Sequence, residues 1–448
     1  MKKLISLFGL LLSAYFLYAQ KERNTLSFEL LRQNDSIHII SKENFYHRMK
    51  SIPLGNNTKL SFGGSYRFQS EHFINENFVK DIAPTQSWLL HRGMLHADLK
   101  FHSKFQLFAE LNSSLTSNKQ HISPVDEDEL YVNQLFIKYD FNKDWHILLG
   151  RQNMRLGSAR LVDVREGPNV RLSFDMAEWQ YHSENTTVTG FYAIPVQQKQ
   201  GVFDNDALNT DETLLALYWT QLWNKNNTTD IYILYKNELN KEWDSDTAND
   251  KRASFGLRMF GQWHGIDYNN EFIYQTGKFG EATINAFAIS LNLEKEFKTL
   301  HPFTFGVKAD VISGDDRADD NSLNTFDGLY PRGVYFGKVA YFGPSNLIAI
   351  HPSISSKIGR VTVNMDYVAF WRYSTKDGVY DPPLILSFPS DNSEKFIANQ
   401  VGASFSYQFN NYLNMELESN LIFPGSFLKE SGHNKTLSHF VFTLGFQF

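Results

Sequence analysis

The stretch LLGRQNMRLGSARLVDVREGPNVRLSFD, residues 148–175, holds five arginines, Arg151, Arg155, Arg160, Arg165 and Arg171. It holds only two acids before its final aspartate, Asp163 and Glu166. The 448-residue chain as a whole has a formal net charge of −6, so this cluster runs against the general balance. Arginine offers a planar fork of donors that grips a carboxylate bidentately, and it stays charged at any relevant pH. HILLGRQNMR reads as a strand, and Gly157 then begins a long connection that ends near Leu172. Folded into an enclosed space, that connection makes a cationic collar for a carboxylate-bearing solute.

The elements that would position such a collar follow from the ends of the chain and its periodicity. Two lysines precede an apolar run from Leu4 to Tyr18, and Ala19 offers a small residue for cleavage, so residues 1–19 read as a secretory signal. No other window approaches 18 consecutive apolar residues, so no membrane-spanning helix is expected. Cysteine is absent, which removes disulfides, thiolate metal sites and lipidated cysteines from consideration. The mild acidity gives no reason to expect nucleic acid as a partner. An aromatic share of 15%, with 38 Phe and 21 Tyr, argues against disorder.

Alternation recurs along the remainder. In KLSFGGSYRFQ, Leu60, Phe62, Tyr66 and Phe68 oppose Lys59, Ser61, Arg67 and Gln69; in RVTVNMDYVAFWRY, Val361, Val363, Met365 and Tyr367 oppose Thr362, Asn364 and Asp366. Each segment is a strand with one apolar and one polar face. About eighteen such segments begin near residues 58, 86, 103, 130, 143, 173, 186, 213, 228, 253, 266, 283, 300, 345, 359, 393, 411 and 436. The gaps alternate short and long, the long ones being 116–129, 155–172, 196–212, 239–252, 314–344, 374–392 and 424–435. Tight turns at one end and long loops at the other are the asymmetry of transmembrane barrels. The expected fold is therefore all-β, a transmembrane antiparallel barrel of about 18 strands over residues 58–448, with residues 20–57 as a periplasmic N-terminal segment.

In a closed barrel the polar faces line the interior. That assigns Arg67, Arg92, Lys138, Arg258, Lys308 and Arg372 to the pore beside the five clustered arginines. The acidic lining is Glu110, Glu178, Asp310, Asp366 and Glu416. The arginines have two other possible employments: pairing with lumenal acids such as Glu110 and Glu178, or with lipopolysaccharide phosphates outside. The last strand, SHFVFTLGFQF, resembles the C-terminal signal of outer-membrane barrels, so Phe448 is the expected contact for the barrel-assembly machinery.

The run GRQ-x-x-R-L-G-S-x-R-L-V followed by REGPNVR resembles the alginate export family of outer-membrane barrels. So do SGDDRADD…NTFDGLYPRGVYFGKVAYFGPSNL (313–347) and, more weakly, VTGFYAIPV (188–196). The resemblance implies a monomeric barrel through which an anionic polysaccharide diffuses past arginines, with outer-membrane lipid and lipopolysaccharide around it. The family's long periplasmic plug loop has no counterpart, because the corresponding turn is QFNNYL (408–413). Asp315, Asp316, Asp319 and Asp320 are weak calcium candidates, since the run lacks the spaced ligands and turn glycine of an EF-hand loop. No cofactor is expected. No GxSxG, HExxH or Walker motif appears, and Ser87 and His91 alternate onto the apolar face, which argues against an enzyme. The expected function is passive passage of an anionic polysaccharide such as alginate, or of related organic anions. The alternative is a general diffusion porin for small polar solutes, with structural arginines.

Overall fold

The computed structural model describes residues 26–37, 48–79, 85–243, 246–317 and 320–448, so the secretory signal lies outside the described residues. Eighteen antiparallel strands close into a barrel, numbered here by barrel position. The first six are β1 (Thr58–Ile74), β2 (Thr85–Phe101), β3 (Phe105–Ser117), β4 (Asp128–Asp140), β5 (Trp145–Gln152) and β6 (Phe174–His182). Next come β7 (Thr186–Pro195), β8 (Glu212–Asn224), β9 (Asn227–Trp243), β10 (Asp246–Trp263), β11 (Ile266–Phe279) and β12 (Ala282–Phe297). The last are β13 (Phe303–Ile312), β14 (Leu347–Ile358), β15 (Val361–Arg372), β16 (Phe396–Gln408), β17 (Leu413–Pro424) and β18 (Leu437–Gln447). Closure comes from β18 pairing with β1, from Ser438 opposite Ile74 to Gln447 opposite Ser65. With every strand paired on both sides, no ladder group is left bare in hydrocarbon.

Alternation decides which way each side chain points. Leu95, Leu111, Leu135, Leu149, Leu215, Leu217, Phe255, Leu291 and Met365 are exposed on the outer wall, where lipid solvates them. Their neighbours Arg92, Glu110, Asp230, Arg258, Glu271 and Asp310 are buried inward. At the end bearing the short turns, aromatic pairs such as Trp145 with Trp179 (6.0 Å) and Phe297 with Phe303 (4.9 Å) form part of an interfacial girdle. Both Phe448 and the N-terminal residues 28–35 lie at this end.

Two features depart from the sequence reading. The expected 239–252 loop is mostly ladder: β10 starts at Asp246, and Lys241, Glu242 and Trp243 pair with Ala248, Thr247 and Asp246. These residues are too polar to read as membrane strand from the sequence. The lumen is also less polar than expected. Phe174, Met176, Phe191, Leu214, Ala216 and Tyr232 point inward and pack against Met154, Leu161, Val162, Phe326 and Leu329. The barrel therefore contains a hydrophobic core, and its partners are long loops folded inside.

Candidate functional site

The arginine-rich loop, residues 153–173, turns into the lumen directly after β5. Asn153 starts the turn: its Nδ2 donates to the Leu172 carbonyl at 2.8 Å, tying the two ends of the loop together. The 313–346 loop enters from the opposite wall. Buried Lys236 on β9 holds Asp327 (3.3 Å), Arg252 on β10 donates to the Thr325 carbonyl (2.9 Å), and Gln275 on β11 donates to the Asp327 carbonyl (2.7 Å). Burial would raise the Asp327 carboxyl, but Lys236, Lys241 and Arg252 hold it well below its usual range. The two loops meet as a short parallel bridge, with Asp163 N–H donating to the Tyr330 carbonyl (3.0 Å) and Tyr330 N–H to Leu161 (2.8 Å).

The clustered arginines divide into three kinds. Arg151 is not in the pore. Its strand parity is that of exposed Leu149, so it lies on the outer wall and pairs with Asp175 at 2.8 Å. Arg160 and Arg171 are anchors. Arg160 reaches across to Glu271 on β11 (2.9 Å) and to the Tyr335 hydroxyl (2.8 Å), with Asp310 on β13 at 3.8 Å. Arg171 pairs with Glu166 (2.5 Å), which also accepts from Arg92, while Arg67 donates to the Glu166 carbonyl at 2.7 Å. Burial would raise the Glu166 carboxyl, but Arg171, Arg92 and Arg67 hold it down at about 2.

The third kind, Arg155 and Arg165, faces a cavity of about 900 Å³ that runs between the inward loops and β1, β2 and β17. Arg155 has a side chain 39% exposed and lies 3.5 Å from Asp163. Arg165 adopts a left-handed conformation (φ 55°), which aims its side chain off the path of the loop. It has no ion-pair partner among the described residues. Burial pushes it below its ordinary value, against the pull of Glu212, Tyr330 and Asp163. Arg332, from the other loop, lines the same cavity and is likewise without an ion-pair partner among the described residues. Sequence reasoning passed over Arg332, Lys236, Arg252 and Lys338. The LYPRG turn that carries Arg332 was the available signal.

The remaining assigned residues are spread around the wall. Arg258 pairs with Asp230 (2.8 Å), Lys138 with Asp140 at the periplasmic rim (3.3 Å), and Lys308 is partly buried on the inner face of β13. Arg372 faces inward but is closed off from solute. It is fully buried, and its guanidinium is spent on loop carbonyls of Asn392 (2.7 Å) and Glu394 (3.0 Å). Glu110 accepts from Asn133 (2.6 Å), Glu178 lies 3.7 Å from His146, Asp366 pairs with His351 (3.0 Å), and Glu416 pairs with Lys338 (2.7 Å). Asp315 accepts from the Asn324 backbone (3.2 Å), Asp316 from its side chain (2.8 Å), and Asp320 from Ser322 N–H (3.0 Å). Asp319 lies outside the described residues. Among the described residues no group of three or more acids or histidines converges on a metal position.

Chemically, the cavity is a confined space with guanidinium on facing loops. A family model described as alginate export matches residues 58–442. Solved structures with the same fold include a BenF-like porin from Pseudomonas fluorescens Pf-5, at TM-score 0.61 and 9% identity, covering 87% of this chain and 98% of that one. OccK11 (OpdR) of Pseudomonas aeruginosa is similar at TM-score 0.56 and 9% identity, covering 87% and 95%. OccAB4 of Acinetobacter baumannii is similar at TM-score 0.56 and 10% identity, covering 86% and 98%. No curated protein matches the chain.

Proposed function

The chain belongs to the alginate export family and is an outer-membrane β-barrel channel of Gram-negative type, and we propose that it passes carboxylate-bearing solutes passively through the arginine-lined cavity. The favoured cargo is an anionic polysaccharide such as alginate, with small organic anions as the lesser class. One observation carries the reading: Arg155, Arg165 and Arg332 meet from two loops at one cavity, and two of the three lack an ion-pair partner among the described residues. Guanidiniums left uncompensated in a narrow, low-dielectric passage concentrate anions and repel cations. Because no energy source is built into such a path, direction follows the concentration gradient.

Single-channel recording of the whole protein in planar bilayers tests this. The expected result is an anion-selective reversal potential and transient block by oligouronates. No conductance, or a clear cation preference, overturns it.

A second reading has its own support. Arg67, Arg92, Arg160, Arg171 and Arg258 are all engaged with acids or carbonyls, as structural arginines would be. On that reading the barrel is a general diffusion porin for small polar solutes. Liposome swelling distinguishes the two, since neutral sugars would then enter as fast as uronates of equal size.

A further inference from the structure

Residues 26–37 form a small folded knob outside the barrel ladder. Leu26–Ser27 pairs antiparallel with Ser36–Ile37, a 3-10 turn spans Arg32–Asn34, and Asp35 accepts the Glu29 N–H at 2.8 Å. The knob sits in the periplasmic mouth, and one buried side chain makes most of its attachment. Arg32 pairs with Asp35 (2.9 Å) inside the knob, donates to the Gly64 carbonyl on β1 (3.0 Å), and donates to the carbonyl oxygen of the terminal residue Phe448 (3.0 Å). A single guanidinium thus bridges the first and last strands where the sheet closes. From within the lumen, Arg171 of the inward loop donates to the Leu30 carbonyl at 3.3 Å. Below, the Phe28 ring lies 6.1 Å from the Tyr412 ring in the last periplasmic turn.

We infer that residues 28–35 are a gate over the periplasmic mouth of the conduit, with Arg32 as its latch. The inference rests on the channel reading above. Phe28, Glu29, Leu30 and Arg32 line the same cavity as Arg67, Arg155 and Arg165, so the knob occupies cross-section that a solute needs. Side chains attach it to the barrel: Arg32 on the Gly64 and Phe448 carbonyls, which also accept the backbone bonds of the seam, Arg171 on the Leu30 carbonyl, and the Phe28–Tyr412 ring contact. The knob can therefore leave without costing the sheet a backbone bond, as expected of an element at the low end of local stability. A latch across Gly64 and Phe448 also couples the gate to a closed barrel, because these two carbonyls come together only when β18 has paired with β1.

Arg32→Ala and Phe28→Ala in the full chain test the gate by unit conductance, with the heat-dependent gel shift reporting a closed barrel. Both variants are expected to raise unit conductance by about twofold or more, as widening a constriction does, with the reversal potential unchanged. If Arg32→Ala does not assemble, Phe28→Ala carries the test. Wild-type conductance in correctly assembled variants overturns the gate. A lowered gel-shift temperature with conductance unchanged does so too, and assigns the segment to stapling the seam. Failure of the channel reading is a separate result, visible in the wild type as no conductance or cation preference.

Discussion

Replacing Arg165 and Arg332 together by glutamine removes two cavity guanidiniums that have neither an ion-pair nor a hydrogen-bond partner among the described residues, unlike Arg67, which is spent on loop carbonyls. Arg155 is a weaker choice, because Asp163 at 3.5 Å already offsets it and would be left buried without its partner. A carboxylate passing ~5 Å from a unit positive charge gains roughly 0.8–1.7 kcal/mol at an effective dielectric between 80 and 40. Screening at 0.1 M salt, where the Debye length is about 10 Å, leaves roughly 0.5–1 kcal/mol per arginine. Two arginines then account for about 1–2 kcal/mol, or roughly a 5- to 30-fold enrichment of anion in the constriction. At 1 M salt the Debye length falls to about 3 Å and the same pair is worth about twofold. Reversal potentials under a threefold salt gradient, read at mean concentrations near these two values, separate the cases. The double variant is expected to lose most of the wild-type anion preference at low salt and to differ little at high salt. An unchanged low-salt reversal potential, at wild-type unit conductance, would refute the claim that these two charges set selectivity.

Three further outcomes follow from the packing. Arg160→Met leaves Glu271 and Asp310 buried without their cation, which should cost about 3–5 kcal/mol in docking of the 153–173 loop; limited proteolysis at that loop, with the barrel still heat-shifting on a gel, checks it. Glu166 has its carboxyl depressed to about 2, so its contribution is fully present above the ordinary carboxylate value and is lost as pH falls through the depressed one. Loop protection from hydrogen exchange should therefore hold from pH 7 to pH 5 and fall away between about 4 and 2; loss already at pH 6 contradicts this. Gly256 lies under the Tyr232 ring, whose hydroxyl donates to Glu271 at 2.8 Å, and a Cβ there would meet the ring at 1.9 Å. Gly256→Ala should displace Tyr232 and destabilise the barrel by about 1–3 kcal/mol, read as a lower urea midpoint in detergent.

Much of the fold was written locally. Strand identity depends on a two-residue period, and the bilayer forces one face to be apolar, so Leu60 to Phe68 or Val361 to Tyr367 can be read without knowing any partner. Seventeen of the eighteen strand starts fall within three residues of the positions expected from alternation. The exception, β10, begins in DTAND, which carries no apolar–polar alternation to mark it as strand. The arginine cluster and the long loop that carries it were likewise visible from composition, glycine and proline, but not that the loop turns inward. Which arginine does what was not. Arg151 faces outward because it shares the parity of exposed Leu149 and lies opposite exposed Leu135 on the neighbouring strand. Arg160 and Arg171 are anchors because Glu271 and Glu166 stand opposite them once the loop crosses the lumen. Arg332 joins Arg155 and Arg165 although 177 and 167 residues separate it from them in sequence. Facing a membrane is a property that each segment carries alone. Being neutralised, or left free to meet a solute, is a property of the neighbours, and only closing the barrel brings those neighbours together.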